Sequence, residues 1–192
     1  IAGSYDRITD AIRDAAFNVN SIMSTTGFCT ADFDKWNTFS RFVLVALMFV
    51  GACVSSTGGG MKVTRIILYF KEMHNDLKTA LRPNAVTKIR MNGNVVEKKI
   101  IQDTNSYLVV YLGILFFSIL IISLNGFDFT TTVTSVITCL NNVGPGLGMV
   151  GPTGNYESFS LLSKLVFCFD MLAGRLELFP ILILFAPRTY RK

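Results

Sequence analysis

Three stretches of this chain are apolar for about the depth of a membrane. Phe42 to Met61 carries no charge, Thr104 to Phe127 carries none, and Leu165 to Pro187 carries only Asp170, Arg175 and Glu177. A helix rises about 1.5 Å per residue, so roughly 20 apolar residues cross the hydrocarbon core. Each run is long enough. Three buried helices of a soluble protein would need a polar coat. A chain of 192 residues with 16% charged side chains has too little polar material to build one. The expected fold class is all-α integral membrane.

The placement of charge orients the spans. Lys62, Arg65, Lys71, Lys78, Arg82, Lys88, Arg90, Lys98 and Lys99 cluster between Met61 and Asp103, and the tail adds Arg188, Arg191 and Lys192. The segments 1–41 and 125–164 hold only Arg7, Arg13, Lys35, Arg41 and Lys164, beside Asp6, Asp10, Asp14, Asp32, Asp34, Asp128 and Glu157. Cytoplasmic loops carry the Lys/Arg excess, so 62–103 and the C-terminus are expected in the cytoplasm. The basic loop lacks the interleaved aromatics of a nucleic-acid surface, and no nucleic acid is expected.

The first apolar run changes character halfway. Gly51 to Gly60 is small, polar and rich in glycine, and three consecutive glycines make poor helix. Irregular backbone at membrane depth is tolerated only inside protein or along a wet cavity. The pattern predicts a broken inner helix: an internal loop over Ser55, Ser56, Thr57, Gly58, Gly59 and Gly60, then helix from Met61 to about Met73. A phosphate loop is discounted, since the GK[ST] ending and a preceding strand are both missing. Gly146 to Gly151 fits GxGxxG but has neither the strand nor the ribose-binding acid of a dinucleotide site.

Two shorter segments have the same design. Residues 5–24 are amphipathic, with Ile8, Ile12, Ala15, Ala16, Val19 and Met23 at helical spacing. Their apolar part is too short to span, so a re-entrant helix is expected, ending in Ser24-Thr25-Thr26-Gly27-Phe28. Asp128 to Leu140 is rich in threonine, too polar for lipid, and ends in Asn141-Asn142-Val143-Gly144-Pro145. An offset of 117 lays Gly27 on Gly144 and Ser55–Gly60 on Leu172–Glu177. A small hairpin is expected around Asn92-Gly93, from Val86–Met91 and Val95–Ile101.

A cation crossing a membrane exchanges its water for fixed oxygens, and backbone carbonyls supply these without a fixed side-chain charge. A glycine after a short helix allows dihedrals that turn carbonyls toward an axis. One such glycine favours a plain turn; two copies, each between a short helix and a long inner span, reverse that preference. Arg175 lies at membrane depth, where a cation costs about 2.5–3.5 kcal/mol on insertion scales and needs water or a partner. It is either a barrier below a filter or half of an interhelical ion pair. Cys29, Cys53, Cys139 and Cys168 form no CxxC, His74 has no second ligand nearby, and no transition-metal site is indicated. The chain shows no signal peptide, and its abrupt start suggests an excerpt of a longer protein.

Ser24–Phe28, Gly51–Arg65, Asn141–Gly148 and Ala173-Gly174-Arg175-Leu176-Glu177-Leu178-Phe179-Pro180 together resemble the Trk/Ktr/HKT superfamily of potassium transporters, and within it the bacterial TrkH-type subunits. The resemblance implies helix–pore loop–helix repeats as in K⁺ channels, four to a chain. Residues 1–73 would be a third repeat lacking its leading helix, 74–103 a cytoplasmic connection, and 104–192 the fourth repeat. It implies K⁺ coordination by the backbone of Thr25, Thr26, Gly27, Asn142, Val143 and Gly144, and gating by 55–60 with a pore-facing Arg175. It also implies a homodimer in lipid and a cytoplasmic nucleotide-binding ring of the TrkA/KtrA type, with no cofactor in this chain. The function implied is potassium uptake across the bacterial cytoplasmic membrane. Ala52 and Ser55 stand where loop glycines are expected. A Na⁺-coupled Ktr-type subunit and a non-transporting scaffold are the alternatives. An enzyme would need a convergent catalytic cluster, and the spans hold none.

Overall fold

The computed structural model describes residues 5, 7–51, 60–81, 89–91 and 93–176. The elements are α1 (Ile8–Met23), α2 (Thr38–Phe49), β1 (Val50–Gly51), β2 (Met61–Lys62), α3 (Val63–Leu81), β3 (Arg90–Met91), β4 (Asn94–Val95), α4 (Lys98–Ser123), α5 (Phe129–Leu140) and α6 (Leu161–Arg175). Single 3₁₀ turns lie at Phe33–Lys35 and Gly148–Val150.

Among the described residues, α4 alone is long and apolar enough to cross a membrane. The first apolar run is interrupted, as the glycine-rich pattern predicts, and the interruption begins earlier than the expected loop at Ser55. Helix α2 stops at Phe49 after 12 residues, ahead of the glycine run. The chain then extends, and Val50 and Gly51 pair in parallel with Met61 and Lys62. This pairing explains why helix resumes at Val63 rather than Met61, since Met61 and Lys62 are spent on the ladder. Helix α3 then runs to Leu81, well past the expected Met73. Among the described residues the hairpin around Gly93 pairs Arg90 with Val95 and Met91 with Asn94, and the expected Val86–Lys88 lie outside them. Residues from Lys98 onward belong to α4, not to a strand.

Polar first residues set where three of the helices begin. The side chains of Asn37, Asp128 and Ser160 accept from the backbone N–H groups of Ser40, Thr131 and Ser163, respectively. Each satisfies a donor that a helix start leaves open. Helices α3 and α4 are joined by the Tyr69 hydroxyl, which donates to the Thr104 carbonyl at 2.6 Å, and by Arg65 stacked 3.9 Å over the Tyr107 ring.

Helix α5 is sheathed by α4 and α6, and nearly every residue from Thr131 to Leu140 is buried. Several of its hydroxyls are satisfied inside the protein, while the buried Thr132 Oγ1 has no hydrogen-bond partner among the described residues. Thr134, Ser135 and Thr138 donate to carbonyls of their own helix. Thr134 and Thr131 also accept the N–H groups of Leu147 and Met149 as the chain returns. Helix α1 lies mainly against α2 and buries one stripe: Asp14, Asn18, Ser21 and Ile22. Its expected apolar stripe is largely open, with Ile8 and Ile12 exposed. One core, built from Ile22, Phe33, Trp36, Leu44, Met48, Ile137, Val143 and Leu147, joins the two halves.

Candidate functional site

The stretches after α1 and α5 have the same backbone. Thr25 and Asn142 adopt left-handed φ values of 54° and 56°, and Gly27 and Gly144 have φ of 80° and 104°. Ser24, Thr25 and Thr26 donate their N–H groups back to Asn20, Ile22 and Ser21. Asn141, Asn142 and Val143 donate to Ile137, Cys139 and Thr138, a repeat of each bond at offset 117. These bonds consume the first three N–H donors of each stretch at the helix ends. The carbonyls of Thr25, Thr26, Asn142 and Val143 accept no hydrogen bond among the described residues. Each stretch also sits at a helix C-terminus, where the macrodipole favours a cation.

The two stretches meet. A Cβ on Gly27 would stand 2.7 Å from the Val143 carbonyl oxygen, and one on Gly144 would sit 4.0 Å from the Gly27 Cα. Above them the outer connections are tied together. The Asp34 carboxylate accepts the N–H of Gly148 at 3.2 Å and a guanidinium N–H of Arg41 at 3.4 Å.

The offset of 117 does not extend into the inner helices. Those begin after Asn37 and Ser160, an offset of 123, because the second outer connection is longer. The expected overlay of Ser55–Gly60 on Leu172–Glu177 is thus corrected. In the inner helices Gly51 corresponds to Gly174, and α6 stays helical to Arg175 where α2 has already broken. Gly174 is where α6 crosses the end of α5: a Cβ there would land on the Leu140 carbonyl. Arg175 is the last residue of α6 and is exposed in this chain. Asp170 is not its partner. That carboxylate is buried between helices and accepts the Ser118 hydroxyl at 2.8 Å.

Of the six expected filter residues, the structure brings Gly27, Val143 and Gly144 into direct apposition. Thr25, Thr26, Asn142, Val143 and Gly144 also share one cavity of about 480 Å³ with Tyr156 and Lys164. Of the expected gating residues, Ser55, Ser56, Thr57, Gly58 and Gly59 lie outside the described residues. Gly60 is buried with φ of 82°, and a Cβ on it would come 2.7 Å from the Asn141 side-chain oxygen.

Several side-chain contacts at the site carry no sequence signal. Asn141 is fully buried; its amide donates to the Ile137 carbonyl at 2.8 Å and accepts the Tyr111 hydroxyl at 2.9 Å. The Asn142 amide donates to the Met171 carbonyl at 3.2 Å. The Tyr156 hydroxyl donates to the Gly144 carbonyl at 2.9 Å. Cys29 donates its thiol hydrogen to the Gly27 carbonyl at 3.7 Å. Burial, with a contribution from Asp32, pushes the Cys29 thiol up, so its proton is retained. Among the described cysteines, Cys29, Cys139 and Cys168 are free, and Cys168 is exposed rather than packed. Among the described residues there is no metal-ligating cluster.

A lipid-length apolar helix packed beside a short buried helix defines the class of a helical membrane protein. The family model described as TrkH, a cation transport protein, matches residues 3–190, and the chain belongs to that family. The chain is 36% identical over 188 residues to the Trk system potassium uptake protein TrkH of Salmonella typhimurium, covering 98% of this chain and 38% of that protein. TrkH of Halomonas elongata is 36% identical over 192 residues, covering 100% and 39%. The crystal structure of the potassium transporter TrkH from Vibrio parahaemolyticus superposes with a TM-score of 0.86 at 35% identity, over 98% of this chain and 40% of that one. The chain shares the fold of a helical membrane transporter and spans about two fifths of the length of these relatives.

Proposed function

We propose that this chain supplies two quarters of a K⁺-selective filter in a potassium uptake protein of the bacterial cytoplasmic membrane. One observation carries the reading: the two stretches repeat the same left-handed turns and the same three backbone bonds, and they face each other at Gly27 and Val143. With donors spent on the helices, the carbonyls around Thr25, Thr26, Gly27, Asn142, Val143 and Gly144 are the groups left to replace an ion's water. Each stretch is the turn of a helix–pore loop–helix repeat, 1–73 and 104–192, with the 74–103 connection and the C-terminus cytoplasmic. Two further quarters complete the ring. The naming of the relatives as potassium uptake proteins supports K⁺ as the ion.

The intramembrane loop 55–60 and Arg175 form the gate in this reading. Val50–Gly51 pair with Met61–Lys62, and Gly60 lies against Asn141 at the base of the second stretch. The protein works as a dimer in lipid with a cytoplasmic nucleotide-binding ring of the TrkA/KtrA type on the basic surface, and without a resident cofactor.

The test is K⁺ flux into liposomes holding the full-length protein that carries this chain. K⁺ or Rb⁺ uptake that exceeds Na⁺ uptake is the expected result. No flux with or without the cytoplasmic ring sinks the transport reading. Deleting 55–60, or Arg175→Ala, should raise flux; a fall in flux with loss of folded protein assigns Arg175 to an ion pair instead.

A further inference from the structure

The Gly144 carbonyl is the one candidate filter oxygen among the described residues held by a neutral side-chain hydroxyl. Tyr156 reaches it from the outer connection before α6, with its hydroxyl 2.9 Å from the Gly144 oxygen and 2.9 Å from the Thr138 Oγ1 on the buried helix α5. The ring is fixed independently of these bonds. It packs 5.9 Å from Phe159 and edge-on at 5.4 Å from Phe167. A phenol has one proton to give and lone pairs to receive. Donating to Gly144 leaves its lone pairs to the Thr138 hydroxyl, whose one proton lies within reach of both the Tyr156 oxygen and the Ser135 carbonyl. Burial pushes the phenol up from its ordinary value, so its proton is retained.

The other stretch has a weaker counterpart. The Gly27 carbonyl is met by the Cys29 thiol at 3.7 Å. Ser21 occupies the place of Thr138 at offset 117, and its buried hydroxyl has no hydrogen-bond partner among the described residues. Glycine at φ of 104° imposes little resistance of its own to rotation of its peptide. What fixes the Gly144 carbonyl is Tyr156.

We propose that Tyr156 is a specificity-determining residue: its hydroxyl holds the Gly144 carbonyl in one direction and keeps that filter quarter from closing on an ion smaller than K⁺. The inference rests on the filter reading above and adds a residue to it. Released, the carbonyl swings, and the quarter accommodates Na⁺ better while K⁺ passage continues.

The experiment compares Na⁺ and K⁺ fluxes in liposomes for the full-length protein and for Tyr156→Phe, Thr138→Val and Gly144→Ser, each checked for folding by its melting temperature. Tyr156→Phe keeps the ring in its aromatic cluster. It should raise the Na⁺/K⁺ flux ratio about two- to tenfold, the range one neutral hydrogen bond spans. Thr138→Val should shift the ratio in the same direction by less. Loss of packing alone would lower both fluxes together and leave the ratio unmoved. An unchanged ratio in Tyr156→Phe beside a shifted ratio in Gly144→Ser overturns the role of Tyr156 and leaves the filter standing. Unchanged ratios in both variants overturn the filter placement itself. If Tyr156→Phe does not fold, Thr138→Val decides, and a wild-type ratio there overturns the proposal.

Discussion

Thr25 and Asn142 turn the chain through nearly the same left-handed angle, yet the helices before them live in different surroundings. Helix α5 is enclosed by α4 and α6, and the stretch after it is fastened by side chains from several elements: Tyr111, Met171 through its carbonyl, and Tyr156. Helix α1 is covered along one stripe, and the stretch after it is fastened mostly by its own neighbours, with Ser24 bonded to Asn20 and to Thr26 and Gly27 met by Cys29. The comparison separates two causes. The shape of each stretch is local, set by three N–H groups folding back on a helix end. Its rigidity comes from the packing around it, and the second stretch has far more of that.

The sharpest way to break this comparison is at the closest packing. Gly174→Ala forces a methyl onto the Leu140 carbonyl, and α6 must leave the end of α5. Overpacking of this kind costs about 1–3 kcal/mol and more where backbone cannot yield. A large fall in the melting temperature and in folded yield is expected; near-normal folding would show that the sheath around the second stretch is loose. Gly27→Ala comes next. It meets both a left-handed φ, at roughly 1–2 kcal/mol for an L side chain, and the Val143 oxygen of the other stretch. Gly144→Ala meets only the φ, with ordinary contact to Gly27. In paired flux measurements Gly27→Ala should disturb K⁺ over Na⁺ selectivity more than Gly144→Ala; the reverse order would contradict the apposition.

Smaller changes sharpen the contrast between fixed and loosely held. Tyr111→Phe removes the donor to the buried Asn141 oxygen and should cost about 1–3 kcal/mol by thermal unfolding, as for a buried group left unpaired. Ser24→Ala, at the corresponding place in the first stretch, removes an exposed bond and should stay within about 0.5 kcal/mol. Equal losses would erase the distinction. Asp128→Ala deletes the cap of α5 and should cost about 1 kcal/mol. Bonds from the Thr131 side chain and backbone hold the Asp128 carboxyl below its ordinary value. Its contribution is therefore complete above the unfolded value of about 3.9 and is lost as pH falls through the lower folded value. In acid titration, Asp128→Ala should flatten stability loss in that window.

Much of this arrangement is legible in the residues. Gly27 and Gly144 stop two short helices at matching places, and both take positive φ as their chemistry allows. The threonines of α5 read as too polar for lipid, and they are buried within protein. The rest depends on contacts that no local pattern encodes. Thr25 and Asn142 share the left-handed turn although neither is glycine. The slip from 117 to 123 arises in the length of an outer connection, which has no periodicity to reveal it. The break after Phe49 precedes the glycines because a two-residue parallel pair, made across a segment of chain, competes with helix. Tyr156 reads as a lone aromatic in a polar loop until the fold brings it to Gly144. The polar stripe of α1 is buried because α2 covers that side, which amphipathicity alone predicts the other way.

The central claim is that the two stretches present their free carbonyls to one ion. Anomalous scattering from crystals of the full-length protein grown with Rb⁺ or Tl⁺ tests it directly. The account predicts a cation peak in coordination contact with the carbonyls of Thr25, Thr26, Asn142 and Val143. A protein that transports K⁺ but places its cation peaks away from both stretches would contradict it.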